Sequence, residues 1–376
     1  MRRVFLFNPE NDIALGSGMP RLTPPRQAAL LHRAGSMLPF WLGAGEDSVV
    51  VGNADLRAAE VWREELRARY GVEGPCPVAD LRTIGEARLS PWGWSLDAVS
   101  QFERLGIDRA RMASVEETVG IRRGLSHRRS SLEFLRLWRQ RGNYLPYAMP
   151  LEAKSVTEVE ELVREWGGAF VKSPWSSSGR GVFPVSLSTL AVSLPRVEGV
   201  IRRQGSVMVE PELPRLQDFA MLFDYAGGEA RFGGYSLFFN STATNYGGNY
   251  VGSDDMIVAR LAQWLPRRDV EQARSEAQAI LRLVLGNGYE GPLGVDMMVC
   301  GDCGGDCWIA PCVEINLRYT MGFVARGVWS KFGKEGVMSV SPCGAGLAGT
   351  TEKKWEEPVW LAPRNDWFDF LFRPHA

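Results

Sequence analysis

Histidine and lysine are both scarce in this chain of 376 residues. The three histidines are His32, His127 and His375, and this count excludes mechanisms that need a cluster of two or three histidines. Lysine supplies only six of the 43 basic residues, and the first 150 residues contain none. Arginine therefore carries most of the positive charge, and a lysine inside an apolar segment calls for a chemical explanation.

The chain also contains no long hydrophobic run, and its net charge is close to zero. The apolar run after the N-terminal arginines, VFLF, ends at Asn8-Pro9, which is too short for a signal peptide, and no segment has the length of a membrane span. The formal net charge of -1 provides no global field for nucleic acid or an anionic membrane. We therefore expect a cytoplasmic protein that acts on small molecules, with neither nucleic acid nor membrane as a partner.

The six cysteines do not indicate a disulfide framework, because no secretion signal accompanies them. Cys300, Cys303, Cys307 and Cys312 are close enough in sequence to surround a zinc ion. Their C-x2-C-x3-C-x4-C spacing matches no standard zinc ribbon, and Cys312 lies in a predicted strand. We expect a hairpin turn with free thiols and no zinc at Cys300, Cys303 and Cys307, and elemental analysis of the purified protein tests this.

The first 120 residues have the pattern of a small α/β domain. Buried strands are predicted at 4–7 and 48–51, and an amphipathic helix at 56–69. Strands that alternate with helices favour a parallel sheet. An arginine-rich helix is predicted between 122 and 141.

After residue 150 the predicted strands are longer and closer together. A capping box at Ser155 and Glu158 begins a helix that ends at Gly167-Gly168. Strands are predicted at 169–172, 207–210, 231–239, 294–299 and 308–316, with a helix from about 270 to 285 and a long Gly/Asn-rich loop at 240–255.

Polar side chains interrupt the last two strands. Glu314 and Asn316 alternate with apolar residues, so both point to the same face of the sheet. Asp296 joins them if the two strands pair as a hairpin. Two carboxylates and an amide oxygen on one face form a hard-oxygen site that suits Mg²⁺.

Lys172 ends an apolar strand and is followed by a loop of serines and glycines. The backbone N–H groups of such a loop can wrap a polyphosphate, and lysine serves there as a compact charge on a flexible stem. Lys172 is therefore predicted to bind phosphate. The Walker A and dinucleotide-binding signatures are absent.

In this order, the segments resemble the ATP-grasp superfamily. The lysine strand with its Ser/Gly loop is followed by VMVE at 207–210, GVDMM at 294–298 and EINLR at 314–318. The resemblance covers roughly residues 120 to 330. It implies an N-terminal α/β parallel-sheet pre-grasp domain followed by a two-subdomain α+β clamp. The implied units are residues 1–120, a small subdomain with its leading helix at 121–212, a C-terminal subdomain at 213–330, and a C-terminal extension at 331–376.

The same resemblance implies a role for each matching residue. Lys172 and Arg128 would bind the phosphates of ATP, with Ser177, Ser178 and Gly179 covering them. Glu210 and the backbone at Leu213 would contact adenine, and Asp218 the ribose. Asp296, Glu314 and Asn316 would bind Mg²⁺ or Mn²⁺, and Arg318, acting with Lys172 in catalysis, would face the transferring phosphate or the substrate carboxylate. His127 stands where the superfamily has an aspartate, which leaves either Arg128 or Arg129 as the phosphate ligand.

The segment NPEND, residues 8–12, has two interpretations. Glu10 or Asp12 holds a substrate amine, since ligands of open α/β sheets bind at the carboxyl ends of the strands. Alternatively, the segment is a turn capped by an Asn or Asp side chain.

These features predict an ATP- and Mg²⁺-dependent ligase. A carboxylate would be activated as an acyl phosphate and attacked by an amine or another nucleophile, most simply with formation of a carbon–nitrogen bond. A small carboxylate and an amine are the expected partners, and a homodimer is compatible with the sequence. Two alternatives remain open, a phosphotransferase that uses the same clamp and a nucleotide-binding scaffold without turnover.

Overall fold

The structure is a computed structural model that describes residues 1–176, 181–241, 246–301, 305–344 and 356–375. The strands are β1 Arg3–Leu6, β2 Ser48–Val50, β3 Cys76–Val78, β4 Arg88–Pro91, β5 Leu151–Ala153, β6 Gly168–Lys172, β7 Val182–Ser186, β8 Val207–Pro211, β9 Arg215–Ala226, β10 Glu229–Asn240, β11 Tyr246–Val251, β12 Gly291–Cys300, β13 Trp308–Asn316, β14 Gly336–Pro342, β15 Val359–Trp360 and β16 Phe368–Pro374. The helices are α1 Asn11–Ser17, α2 Arg26–Ala34, α3 Leu56–Tyr70, α4 Leu96–Arg104, α5 Ala113–Leu125, α6 Arg129–Gln140, α7 Val156–Trp166, α8 Leu190–Gln204, α9 Asp254–Leu261, α10 Arg267–Leu285 and α11 Met321–Phe332.

The N-terminal sheet has four strands in the order β3-β2-β1-β4, and every pair is parallel. Its central strand β1 is buried on both faces, as is usual for parallel sheets. Val4 and Leu6 pack into one apolar cluster, and Phe5 into a second on the opposite face. The predicted N-terminal α/β domain with a parallel sheet is confirmed.

The small antiparallel sheet has the order β5-β8-β6-β7. Ala169 and Val171 of β6 pack beneath α7 and α8. Because side chains alternate along a strand, Lys172 points to the opposite face. Helix α7 begins where the capping box predicts, since the Ser155 side chain accepts a hydrogen bond from the Glu158 backbone N–H at 3.2 Å.

The large sheet has eight strands in the order β13-β12-β9-β10-β11-β14-β16-β15, all antiparallel. The odd-numbered residues of β9, from Phe219 to Tyr225, pack into the apolar cluster that also contains residues of α6 and α10. The even-numbered Asp218 and Ala220 line a cleft on the other face. Strands β12 and β13 form the predicted hairpin, with Asp296 directly opposite Glu314.

Two segments join this large sheet from outside residues 213–330. The apolar face of α6, with Phe134, Leu135 and Trp138, belongs to the same cluster as α10. Strand β14 pairs with β11 and carries β16 and β15 beside it. Among the residues described above, no helix combines the length and apolarity needed to cross a membrane.

Candidate active site

A cleft of about 620 Å³ lies where the small sheet, the large sheet and the N-terminal unit meet. Nine of the residues predicted for the nucleotide, the metal and catalysis line this cleft. They are Arg128, Lys172, Glu210, Leu213, Asp218, Asp296, Glu314, Asn316 and Arg318. Ser177, Ser178 and Gly179 lie outside the described residues, so their predicted contact with phosphate stays a prediction.

Lys172 is held at the end of β6 by an acidic partner. Its Nζ lies 2.5 Å from Oε2 of Glu210 on the neighbouring strand β8, and the side chain of Lys172 is only 8% exposed. The pair forms because Phe170 is opposite Glu210, which places Lys172 and Glu210 diagonally on the cleft face. Glu210, which is predicted to contact adenine, is therefore also the ion-pair partner of Lys172.

Arg128 connects the loop after β6 with strand β13. It immediately precedes α6 and donates hydrogen bonds to Ser176 Oγ at 2.8 Å and to Glu314 Oε1 at 2.8 Å, with a further contact to the carbonyl of Ser173. Its Nε is buried and has no hydrogen-bond partner among the described residues. Arg129 instead pairs with Glu152 at 2.9 Å and does not line the cleft. Of the two candidate arginines, the cleft contains Arg128.

His127 is buried and makes contacts within the protein. Burial, together with the charge of Arg129, lowers its pKa to about 4, so the ring is neutral at physiological pH. Its Nδ1 accepts the backbone N–H of Arg129 at 3.0 Å, and the ring packs edge-on against Trp175. The imidazole thus caps the start of α6.

The predicted metal residues form one polar cluster. Asn316 Nδ2 donates to Asp296 Oδ2 at 3.0 Å, and Asp296 is paired in register with Glu314. Burial and the charge of Glu314 raise the pKa of Asp296 to about 7. Burial alone would also raise the pKa of Glu314, but the charges of Arg128, Lys172 and Arg318 outweigh it and hold that pKa below its usual value.

This donor set fits Mg²⁺. Burial is the larger cause of the raised pKa of Asp296, and repulsion by Glu314 adds to it; a divalent cation between the two carboxylates would relieve that repulsion. The hydrogen bond from Asn316 uses its amide nitrogen, so the amide oxygen stays available as a ligand.

Asp218 and Leu213 are the two remaining residues predicted to contact the nucleotide. Asp218 on β9 accepts a hydrogen bond from Asn240 Nδ2 at 2.9 Å, and burial raises its pKa. Leu213 lies in the short connection between β8 and β9. Both line the same cleft as Lys172.

Arg318 is fixed by the N-terminal unit. Its Nε donates to Oδ2 of Asp12 at 2.8 Å, and both side chains are 14% exposed. Burial by itself would lower the pKa of Arg318, but the carboxylate of Asp12 outweighs that effect and the pKa is raised. Asp12 lies in α1, so residues 306 positions apart in sequence set the direction of this guanidinium.

The side chains of the NPEND segment contact other parts of the fold. Asp12 binds Arg318, and Oε1 of Glu10 lies within hydrogen-bond distance of His32 Nδ1, at 2.9 Å. The role of Glu10 or Asp12 toward a substrate amine stays a prediction. Asn8 exchanges hydrogen bonds with the backbone of Gly93, at 2.8 and 3.3 Å, and does not cap the turn. The segment therefore joins the end of β1 to the loop after β4 and to the cleft.

Sequence reasoning missed several residues of the site. Ser173 and Ser176 bind Arg128, and no motif marks them apart from the serine-rich loop that they begin. Apolar residues of the N-terminal unit, such as Leu31 and Trp92, line the cleft although their sequence context is that of an ordinary core. Only their position in the folded chain reveals them.

A second groove, of about 750 Å³, shares Arg318 and Trp92 with the 620 Å³ cleft. None of the other predicted site residues lines this groove. The 620 Å³ cleft is therefore the candidate active site.

Within the described residues, no group of three or more His, Cys, Asp or Glu side chains is arranged to hold a metal ion. Cys303 lies outside the described residues. Cys300 is buried and its pKa is raised to about 12, mainly by burial, while Cys307 is half-buried. The expectation about zinc stays a prediction.

Comparisons with known proteins identify the fold. No family profile and no curated protein matches the sequence. Among solved structures, the chain is similar to phosphoribosylamine–glycine ligase from Thermotoga maritima, with 12% identity and a TM-score of 0.52 over 99% of this chain and 91% of that one. It is also similar to biotin carboxylase from Campylobacter jejuni, with 12% identity and a TM-score of 0.51 over 99% and 87% of the two chains.

A third similar structure is the biotin carboxylase domain of 2-oxoglutarate carboxylase from Hydrogenobacter thermophilus, in complex with MgADP, ADP and bicarbonate. Its identity is 11%, with a TM-score of 0.52 over 100% of this chain and 86% of that one. The chain has the ATP-grasp fold, as its motifs predicted.

Proposed function

We propose that this protein is an ATP- and Mg²⁺-dependent ligase that activates a small carboxylate as an acyl phosphate and joins it to an amine. The observation that carries the proposal is the arrangement of charge in the cleft. Three cations, Lys172, Arg128 and Arg318, surround the Asp296 and Glu314 carboxylates in a cleft of the ATP-grasp fold. The nucleotide in the Hydrogenobacter structure, MgADP, is of the kind that this charge pattern would take.

Each residue has a role that follows from its chemistry. Asp296, Glu314 and Asn316 would hold Mg²⁺, which when bound neutralises charge on the phosphates. Lys172 would leave Glu210 to contact the phosphates, and Glu210 would then be free to accept from the amino group of adenine. Arg128, already tied to Ser176 and Glu314, would fix the position of the phosphate-covering loop.

Arg318 is the proposed group that stabilises the transferring phosphoryl group. Asp12 holds its Nε, so the remaining guanidinium donors have little freedom to turn. A preorganised cation of this kind stabilises developing charge without reorganisation during the reaction. Because phosphoryl transfer depends on positioning and electrostatics, no histidine or serine nucleophile is needed.

The proposed reaction has two steps that balance. A carboxylate oxygen of the substrate attacks the γ-phosphorus of ATP, and ADP leaves. The amine then attacks the carbonyl carbon of the acyl phosphate, phosphate leaves with the C–O bond electrons, and the amine nitrogen releases one proton.

Product analysis tests this function. Purified protein is supplied with Mg²⁺, ATP and panels of carboxylates and amines, and ADP, phosphate and organic products are measured. Formation of ADP and phosphate that requires both substrates supports the ligase. A stable phosphorylated product would instead make the protein a phosphotransferase, and nucleotide binding without turnover would make it a scaffold.

We also propose that the structural units follow the three sheets. Residues 1–120 form the first unit and the small sheet the second. Because β14 pairs with β11, and α6 packs with α10, we assign the C-terminal strands and α6 to the unit of the large sheet. Limited proteolysis that cuts first between β8 and β9, or near residue 150, supports this division, and early cleavage between β11 and α9 contradicts it.

A further inference from the structure

Charge is unevenly distributed along the cleft. Every charged side chain that lines it in the described part of the chain belongs to residues 128–318. The lining residues before and after that range are uncharged. We call the surface formed by Pro9, Leu31, Trp92, Met321, Val340 and Phe370 the apolar end.

Three separate parts of the fold build the apolar end. Pro9 and Leu31 come from the N-terminal unit, and Met321 begins α11. Val340 and Phe370 are directly opposite each other on β14 and β16, so they share a face of the large sheet. Leu31, Trp92, Met321, Val340 and Phe370 belong to one apolar cluster, so the surface depends on the tertiary fold and is not one helix face.

The charged residues adjacent to this surface are already paired. Glu10, next to Pro9, binds His32, next to Leu31, at 2.9 Å. Asp12 binds Arg318 at 2.8 Å. Oε2 of Glu10 is buried and has no hydrogen-bond partner among the described residues, but Glu10, His32 and Asp12 do not line the cleft. Of these four residues only Arg318 lines it, and Arg318 is assigned to the transferring phosphoryl group or the substrate carboxylate.

Three neutral polar residues of the cleft are hydrogen-bonded to one another. Tyr246 Oη donates to Asn249 Oδ1 at 2.5 Å, and Asn249 Nδ2 donates to Ser236 Oγ at 2.7 Å. All three residues line the cleft. Their hydrogen bonds are satisfied internally, so a ligand beside them does not need polar groups to complete the network.

We infer that the apolar end binds the body of the substrate acid, and that this acid carries a hydrocarbon or aromatic side chain rather than a phosphate, a second carboxylate or an ammonium group. The inference rests on the proposed function, since the acid must place its carboxylate beside Arg318 and the metal residues. Its remaining atoms then lie against Leu31, Met321 and Val340. A charged group placed there would lose hydration without gaining a partner.

The expected gain in affinity for longer acids follows from the apolar area that each added carbon buries. Each methylene removed from water contributes about 0.8 kcal/mol, which is roughly a fourfold change in affinity. A series of straight-chain acids should therefore bind about fourfold more tightly with each added carbon until the apolar end is filled.

The experiment uses acetate through octanoate, 3-phenylpropionate, succinate and 3-phosphoglycerate as probes. Dissociation constants are measured by calorimetry with the full chain, ADP and Mg²⁺ present, and KM is measured from ADP release in the presence of ATP and an amine panel. We expect the dissociation constant and KM to fall together along the straight-chain series, and 3-phenylpropionate to bind more tightly than succinate or 3-phosphoglycerate.

Two substitutions locate the effect. Leu31→Lys should reduce the gain per carbon to below twofold and improve succinate binding relative to hexanoate, because it adds a cation to the apolar end. Met321→Gln, which keeps the length of the side chain, should weaken octanoate without affecting acetate. Leu283→Lys on α10, where Leu283 is 62% exposed, is the matched control and should behave as the parent. Melting temperatures identify a variant that fails to fold, in which case Met321→Gln alone decides.

Equal affinity across the straight-chain series, or tighter binding of 3-phosphoglycerate, overturns the inference. A chain-length effect seen with amines and not with acids overturns the assignment of this end to the acid. If the proposed ligase function is wrong, the result differs: no acid supports ADP formation. The calorimetric series still measures how binding to the apolar end depends on the chain length of the acid.

Discussion

Replacement of Glu314 by glutamine separates catalysis from structure most clearly. Glu314 accepts a hydrogen bond from Arg128 at 2.8 Å, and the charges of Arg128, Lys172 and Arg318 hold its pKa low. Glutamine keeps the shape and one acceptor oxygen but removes the negative charge. The proposed metal site then loses half of its carboxylate charge, since Asp296 is the other carboxylate.

The expected cost to stability is moderate. Breaking a buried ion pair by removing one partner costs about 3–5 kcal/mol, whereas a hydrogen bond to a charged group is worth about 1.5–3 kcal/mol and persists in the variant. The difference is a destabilisation of about 1–3 kcal/mol, which leaves the protein folded. Loss of one preorganised charge stabiliser typically lowers kcat by about 10²–10³. We therefore expect turnover to fall by about that factor, with a change in the ATP dissociation constant of less than about tenfold.

A double substitution distinguishes the two roles of Glu314. If Glu314 only neutralises Arg128, then Glu314→Gln combined with Arg128→Gln should recover stability and turn over as fast as Arg128→Gln alone. If it binds the metal, stability recovers in part and the double variant turns over more slowly than Arg128→Gln alone. Steady-state ADP release and thermal unfolding measure the two quantities, and Glu133→Gln, an exposed residue of α6 that is paired with Arg136, is the control. Parent-level metal-dependent turnover in Glu314→Gln, or a double variant that turns over as fast as Arg128→Gln alone, would refute the metal role.

Three further predictions concern the cations and Asp296. Lys172→Ala should weaken ATP binding, measured by calorimetry, by about 10- to 100-fold, because it removes a charge-assisted contact worth about 1.5–3 kcal/mol. Unchanged affinity for ATP contradicts the role of Lys172 as a phosphate ligand. Asp12→Asn should lower kcat by about tenfold or more while the KM for ATP stays within about threefold, because the substitution loosens Arg318 and removes no predicted contact with the nucleotide. An equal effect on kcat and KM contradicts a positioning role for Asp12. The pKa of Asp296 is raised to about 7 in the fold from its ordinary value of 3.8, so the folded state binds more protons between these values and loses stability as the pH rises through this window. Asp296→Asn should therefore raise the melting temperature of the metal-free protein more at pH 8 than at pH 5, and an equal shift at both pH values contradicts the raised pKa.

The sequence predicted the elements whose pattern is local. The hairpin of β12 and β13 follows from two apolar segments with a short turn, and Asp296, Glu314 and Asn316 were recognisable because they interrupt apolar strands. Strand β9 was not predicted. Its Ala220 and Leu222 are apolar like Phe219 and Met221, since both faces of the strand are covered, and the alternation that marks a half-exposed strand is missing.

The partners of the charged residues could not be predicted from sequence. Asp12 and Arg318 are 306 positions apart, and only packing of the N-terminal unit against the large sheet brings them together. The apolar end was equally hidden, because a cleft-lining leucine such as Leu31 has the same local pattern as a leucine of the core. Motifs identify residues that must be polar at a fixed spacing, whereas tertiary packing decides which residues those groups meet.

Binding of Mg²⁺ and ATP to the parent protein tests the central claim most directly. A ligand that binds only the folded state stabilises it by about 2.7 kcal/mol when its concentration is about 100 times Kd. We predict that millimolar ATP with Mg²⁺ raises the melting temperature, that ATP with EDTA does so less, and that calorimetry gives one site per chain whose affinity falls in Lys172→Ala. Neither a melting shift nor a binding heat at millimolar Mg²⁺-ATP would contradict the assignment of this cleft to ATP.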